Sequence, residues 1–308
     1  MFVNRRMTVL MSTYNGEPWL DEQLRSLEHQ TWPDLRLLIR DDGSSDGTSD
    51  RLNAFASSSR LSCEVLLGKN LGVFGSFMTL LAQAGDDSGY FAFADQDDVW
   101  LPDKCERAAF LLGQIPDHIP AMVYTRLRYT DAMLRDTGLS PIPTQSGFHT
   151  ALVQNQATGC TVVMNAAARR KVLESVPEWA LMHDWWCYLV VSAFGQVIYD
   201  PHPSLLYRKH SSNVTPASPN WAAELWNRSK RFAGDGEIAR RVTDQAREFK
   251  QRYGSQLSEE NRALLDGFLS AREKGVLGRV AYAATMPVRR NTPFDTWIMR
   301  LLIVMGRF

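Results

Sequence analysis

Two stretches of this 308-residue sequence crowd carboxylates just where an apolar run ends. Tyr90-Phe91-Ala92-Phe93-Ala94 is followed at once by Asp95-Gln96-Asp97-Asp98. Carboxylates this close repel one another, which raises their pKa values unless a cation offsets the charge. Oxygen-only ligands suit magnesium or manganese better than zinc. Two other readings stand beside the metal site. One is a solvated acidic turn capping a helix that begins near Pro102. The other is the pattern Asp95-x-Asp97-x-Val99 behind a hydrophobic strand, in which Asp95 would be the nucleophile of a phosphatase. That chemistry also needs a later acidic pair after a strand, and the sequence offers no convincing one. The second cluster, Asp41-Asp42-Gly43-Ser44, follows the apolar run 35–39. It can be a turn and helix cap, or it can present a carboxylate to the imide N–H of a pyrimidine. Neither Gly-x-Gly-x-x-Gly nor Gly-x-x-x-x-Gly-Lys-Ser/Thr occurs, which argues against a dinucleotide or Walker-type phosphate site.

The elements that must hold these clusters alternate. Strand signals at 8–12, 35–39, 63–67 and 90–94 are separated by helical ones, with Leu20, Leu24 and Leu27 on one stripe and Phe74, Phe77, Met78 and Leu81 on another. Such alternation predicts a mostly parallel sheet with right-handed crossovers. Ligands of such sheets sit beyond the carboxyl ends of the strands, so both acidic clusters should share one crevice. Further on, 122–129 and 158–164 read as strands, 183–193 as a buried helix, and 197–199 and 205–207 as short strands. From about Trp221 the pattern is helical and basic.

Composition sets the outer bounds. With 44% hydrophobic and 22% charged residues, the chain reads as a folded globular protein. Its 34 basic and 34 acidic residues cancel, but unevenly. Residues 1–214 carry 18 basic against 24 acidic side chains, and 215–308 carry 16 against 10, which suggests an acidic domain and a basic extension. Cys63, Cys105, Cys160 and Cys187 lack metal or redox spacing and fit free thiols in a reducing cytoplasm. No signal peptide is expected at the start, and the apolar stretch 297–305 is too short to span a membrane and is broken by Arg300.

Four segments resemble the family-2 inverting glycosyltransferases of GT-A fold: Val9 to Gly16, Arg40 to Thr48, Asn70 to Val73, and Phe93 to Lys104. Two more, His183-Asp184-Trp185-Trp186 and Tyr207-Arg208-Lys209-His210-Ser211-Ser212-Asn213, resemble the bacterial rhamnosyltransferase branch that builds O-antigen and related polysaccharides. The resemblance covers about residues 7–215. It implies a Rossmann-like, mixed but mostly parallel sheet flanked by helices, in a catalytic domain of residues 1–214 with a helical extension at 215–308. It implies that Ser12, Tyr14, Asn15, Asp42, Asn70 and Asp95 line the nucleotide site, with Tyr14 near the base and Asp42 on the pyrimidine. Asp97 becomes the leading ligand of Mg or Mn, with Asp95 beside it and His210 completing the site. Asp184 becomes the catalytic base, and Trp185, Trp186 and Thr158 the acceptor side. Alternatives are that Asp184 caps a helix, that His210 is a surface residue, and that the tryptophans merely pack.

The activity so implied is transfer of L-rhamnose from dTDP-L-rhamnose to a hydroxyl of a polyprenyl-diphosphate-linked glycan. A UDP-sugar donor, or a catalytically silent nucleotide-sugar-binding protein, is the alternative. The extension interleaves Arg228, Lys230, Arg231, Arg240, Arg241, Arg289 and Arg290 with Trp221, Trp226, Phe232, Trp297 and Ile298. That mixture suits peripheral contact with anionic lipid at the inner face of the plasma membrane. A plain helical appendage is the competing reading, and the absence of a recognition motif speaks against nucleic acid.

Overall fold

The structure is a computed structural model that describes residues 5–210 and 237–308. The chain divides into two compact units, Met1–Ile142 with Ala157–Lys209, and Pro143–Gln156 with His210–Phe308.

The first unit is built on a seven-stranded sheet ordered β10-β6-β9-β4-β1-β2-β3. Its centre is β1 (Met7–Thr13), flanked by β2 (Leu35–Asp41) and β4 (Tyr90–Ala94), both parallel to it. β3 (Ser62–Leu67) continues parallel on the β2 side. On the other side β9 (Val163–Asn165) runs antiparallel to β4 and to β6 (Ala121–Thr125), and β10 (Gln196–Asp200) is parallel to β6. The inner strands are buried on both faces, as their continuous apolar runs require. The helices α1 (Leu20–Glu28), α2 (Thr48–Ser58), α3 (Gly72–Gln83), α4 (Lys104–Leu112), α6 (Ala166–Leu173) and α7 (His183–Phe194) belong to this unit; α5 (Phe148–Ala151) belongs to the other. Leu20, Leu24 and Leu27 of α1 are buried, as are Phe77, Met78 and Leu81 of α3.

Register decides where the acidic clusters emerge. Thr13 pairs with Asp41 and Met11 with Ala94, so the chain leaves β1, β2 and β4 at one edge of the sheet. Both acidic clusters therefore leave the sheet at the same edge, the placement expected of a parallel sheet's ligand side. A second sheet, ordered β5-β11-β7-β8, begins immediately beyond Asp98. It consists of β5 (Val99–Trp100), β11 (Leu205–Arg208), β7 (Arg128–Thr130) and β8 (Asp136–Leu139).

Two sequence expectations are corrected in detail. The run 122–129 is not one strand: it divides into β6 of the large sheet and β7 of the small one. Of 158–164, only the end is extended. Gly159–Thr161 forms a 3-10 turn, closed by the Thr161 N–H on the Thr158 carbonyl at 2.8 Å. A Cβ at Gly159 would sit 2.8 Å from His183 Nε2, so only glycine allows this close approach.

The second unit is helical among its described residues: α5, α8 (Glu237–Tyr253), α9 (Glu259–Ser270), α10 (Val276–Thr285) and α11 (Pro293–Val304). Phe148, Phe249 and Tyr253 pack in series as tilted rings, with centroids 5.5 and 5.3 Å apart. Ser258 and Thr292 cap α9 and α11 by accepting the N–H of Asn261 and Asp295. Pro293 occupies the first turn of α11, where its missing N–H costs nothing. No described helix is long and apolar enough to cross a membrane. The expected basic and aromatic residues from Trp221 to Phe232 lie outside the described residues.

Candidate active site

The loops after β1 and β2 are tied together by side chains. Asp41 accepts the hydroxyls of Thr13 and Ser49 and both donors of Ser44, which folds the Asp-Gly-Ser-Ser turn onto itself. Asn15, in the left-handed region at φ 46°, donates its N–H to Ser44 Oγ and accepts the Ser45 N–H. Asp42 is buried and hydrogen-bonded to Arg40; it also accepts the N–H groups of Leu71 (2.7 Å) and Gly72 (2.9 Å) at the start of α3. Ser12 joins the same network through Ser76, which Arg40 also contacts. Asn70, exposed, accepts the Gly72 N–H.

Tyr14 is about half exposed, and its backbone is clasped by Gln96: the Tyr14 N–H donates to Oε1 at 2.8 Å, and Nε2 donates to the Tyr14 carbonyl at 3.0 Å. A Cβ at Gly16 would overlap that amide. The loop after β1 is thereby fixed to the loop carrying the acidic cluster.

In that cluster Asp98 is 1% exposed, and its Oδ2 has no hydrogen-bond partner among the described residues. Ligand atoms of Asp95, Asp98 and Cys160 lie within 4.8 Å of one another. Burial pushes Asp95 up to about 7; Asp97 and Asp184 add to the rise, and Lys104 opposes it. Burial also raises Asp98, with Asp97 and Asp95 contributing. An orphaned buried carboxylate oxygen among repelling acids is what a hard divalent cation relieves, so the residues fit one. Asp97, the ligand expected first, is half-buried beside this group; among the described residues, Asp98 and Cys160 accompany Asp95 more tightly. His210 belongs to the second unit and is half-buried.

Two cations brace the cluster, and sequence reasoning gave neither a role. Lys104, 1% exposed, bonds the Cys160 carbonyl and lies 3.7 Å over the Trp100 ring; burial brings its pKa down to about 8. Arg208, 2% exposed, donates its N–H to Asp98 and its Nε–H to the Asp97 carbonyl at 2.9 Å, and pairs with Glu22. Lys104 stands four residues before Ala108 and eight before Leu112, both buried, so helical periodicity could have placed it inward.

Asp184, 4% exposed, lies in the first turn of α7. Its Oδ2 accepts the Gly159 N–H at 2.7 Å and its Oδ1 the Trp185 N–H at 2.6 Å. The residue before α7 is Met182, so Asp184 is not its N-cap. Beside it His183 is stacked on Phe77 at 3.8 Å and meets Phe93 edge-on; burial lowers its pKa to about 3. On the expected acceptor side Thr158 and Trp185 are half-buried. Trp186 is a correction: at 0% exposed its indole packs in the core and presents no face to a sugar.

The site therefore gathers at one sheet edge a tethered pair of loops, an acidic cluster with Asp98 buried and Asp95 and Asp97 half-buried, and a separate buried carboxylate. Glycosyl transferase family 2 matches residues 8–176, more than half of the chain. A dTDP-rhamnosyl transferase, RfbG of Shigella flexneri, is 26% identical over 231 residues, covering 70% of this chain and 76% of that protein. Staphylococcus aureus TarS 1–349 in complex with UDP-GlcNAc superposes with a TM-score of 0.62 at 15% identity, covering 98% of this chain and 87% of that fragment. A Pyrobaculum calidifontis mannosyltransferase in complex with GDP-Man and Mn2+ gives 0.53 at 17%, covering 98% and 86%. The fold is GT-A, and the phosphatase reading of Asp95 has no place in it. By its sequence match and its architecture, the chain belongs to glycosyl transferase family 2.

Proposed function

We propose that the protein is an inverting glycosyltransferase that moves L-rhamnose from dTDP-L-rhamnose to a hydroxyl of a lipid-linked glycan. The observation that carries this reading is that one turn serves both groups: the Gly159 N–H donates to Asp184 Oδ2 at 2.7 Å, and the Sγ of the next residue, Cys160, lies within 4.8 Å of carboxylate oxygens of Asp95 and Asp98. A base and a diphosphate-cation site within reach of each other are what a single displacement requires. Asp184 accepts the proton of the attacking hydroxyl as its oxygen bonds to the anomeric carbon. The bond to the nucleoside diphosphate breaks on the opposite face, inverting the centre. General-base assistance of this kind contributes roughly 10²–10⁴ in rate. Asp95, Asp97 and Asp98 are the residues that would hold Mg or Mn, which when bound supplies Lewis-acid stabilisation to the departing diphosphate.

Donor choice rests on the Shigella relative, which is a dTDP-rhamnosyl transferase. The alternative is a UDP-sugar, because uracil and thymine share the imide group offered to Asp42; TarS in complex with UDP-GlcNAc keeps that alternative in view. A panel of nucleotide-sugars assayed by melting temperature, with and without Mn2+, separates the two, since a ligand bound only by the native state raises it. A larger shift with dTDP-rhamnose than with any UDP-sugar is expected; the reverse order overturns the donor assignment. An acceptor carried on polyprenyl diphosphate, proposed from the resemblance, would put the reaction at the inner membrane face.

A further inference from the structure

The second unit exposes apolar surface where a water-facing helix would be polar. Among the described residues, seven of the fifteen exposed large hydrophobic ones fall within 276–308, so the exposure is concentrated. On α11 and its C-cap they form a row at helical spacing: Phe294 (52% exposed), Trp297 (59%), Leu301 (43%) and the C-cap Met305 (46%). The opposite side of the same helix, Met299, Leu302 and Ile303, is buried. α11 is thus apolar on its core side and on its solvent side alike. α10, which packs on α11, leaves Val276, Leu277 and Val280 exposed as well.

Next to the α11 row lies a groove of about 580 Å³, lined by Trp297 together with Arg289, Arg290, Arg300 and Thr144. Residues 271–308 hold seven basic side chains and two acidic ones, Glu273 and Asp295, and Asp295 is buried. We propose that the outer row of α11 and the arginine groove beside it dock on an anionic phospholipid bilayer. The apolar row enters the boundary of the acyl chains, Trp297 sits at headgroup depth, and the guanidinium groups meet lipid phosphates. A second copy of the chain fits this surface worse. Symmetric self-pairing would set arginine against arginine, with Glu273 as the one exposed acid of 271–308 to offset them. The inference does not depend on which sugar or nucleotide the first unit uses.

The test is co-sedimentation of the full chain with vesicles of phosphatidylcholine alone, or of phosphatidylcholine mixed with phosphatidylglycerol. Binding to the mixed vesicles, weakened by salt and nearly absent with phosphatidylcholine alone, is the expected result. Arg289→Gln and Arg300→Gln should each weaken it by about fivefold. Trp297→Gln should reduce it without altering donor hydrolysis in vesicle-free solution, and Phe294→Gln serves the same purpose if Trp297→Gln melts early. Equal binding to both vesicle types, binding to neither, or a solution dimer that Trp297→Gln dissociates would each overturn the proposal. Loss of donor hydrolysis alone would bear on the sugar chemistry and leave the docking result intact.

Discussion

Gly159 donates its backbone N–H to Asp184 Oδ2 at 2.7 Å, and the same glycine has no side chain because His183 fills that space. The carboxylate is therefore held by the main chain of a turn that also carries Cys160, whose carbonyl receives Lys104. Asp184, the proposed base, and the acidic cluster are both tied to one short segment.

Asp184→Asn retains an oxygen for the Gly159 N–H but loses the acceptor for the Trp185 N–H, so its melting temperature is measured beside its activity. Transfer is expected to fall by roughly 10²–10⁴ while nucleotide still shifts the melting temperature. A variant within threefold (~0.7 kcal/mol) of wild-type turnover would show that the base lies elsewhere.

Lys104→Met should be costly when no divalent cation is supplied. Removing one member of a buried ionic group leaves the other charges uncompensated, at about 3–5 kcal/mol. Denaturant melts with chelator and with Mn2+ check this: the loss should shrink with Mn2+, because the cation takes over the neutralisation of Asp95 and Asp98. An equal loss in both conditions would assign Lys104 to packing against Trp100 alone.

Asp98→Asn and Asp97→Asn separate the two candidate ligands beside Asp95. Because Asp98 Oδ2 is buried and orphaned, Asp98→Asn is expected to diminish the Mn2+-dependent rise in melting temperature by more than half. Its protein-only stability should hold or improve, since one repelling charge is gone. If Asp97→Asn alone abolishes the Mn2+ response, Asp97 is the dominant ligand.

His183 gives the protein a defined weakness to acid. Its pKa in the folded chain, about 3, lies below its ordinary 6.5, so between those values the unfolded chain binds a proton that the native one refuses. Stability from this residue is complete above about pH 6.5 and is lost as the pH falls toward 3. At pH 5 wild type should have lost about 2 kcal/mol relative to His183→Phe, compared with their difference at pH 7.5. Parallel stability curves for the two proteins would show that His183 takes up its proton in the folded state as well.

The central sheet was legible because inner parallel strands leave the plainest trace: continuous apolar runs cut off by charge or glycine. The runs at 8–12, 35–39 and 90–94 lie within β1, β2 and β4, and the joint emergence of Asp42 and Asp95 followed from topology alone. Expectations slipped where one run served two sheets, as at 122–129, since nothing local distinguishes β6 from β7. They slipped again at Trp186, which the rotation of α7 turns into the core while its neighbour Trp185 stays half-buried. Arg208 was beyond reach for a further reason: its partners Glu22, Asp97 and Asp98 lie more than a hundred positions away.

The Gln96 amide that grips both polar groups of the Tyr14 backbone makes two subsites mechanically one body. A displacement of the acidic loop carries the Tyr14 backbone with it. If nucleotide at the proposed Tyr14 site and a cation at the proposed acidic site each shift this joined body, occupancy of one changes the affinity of the other by the same factor in both directions.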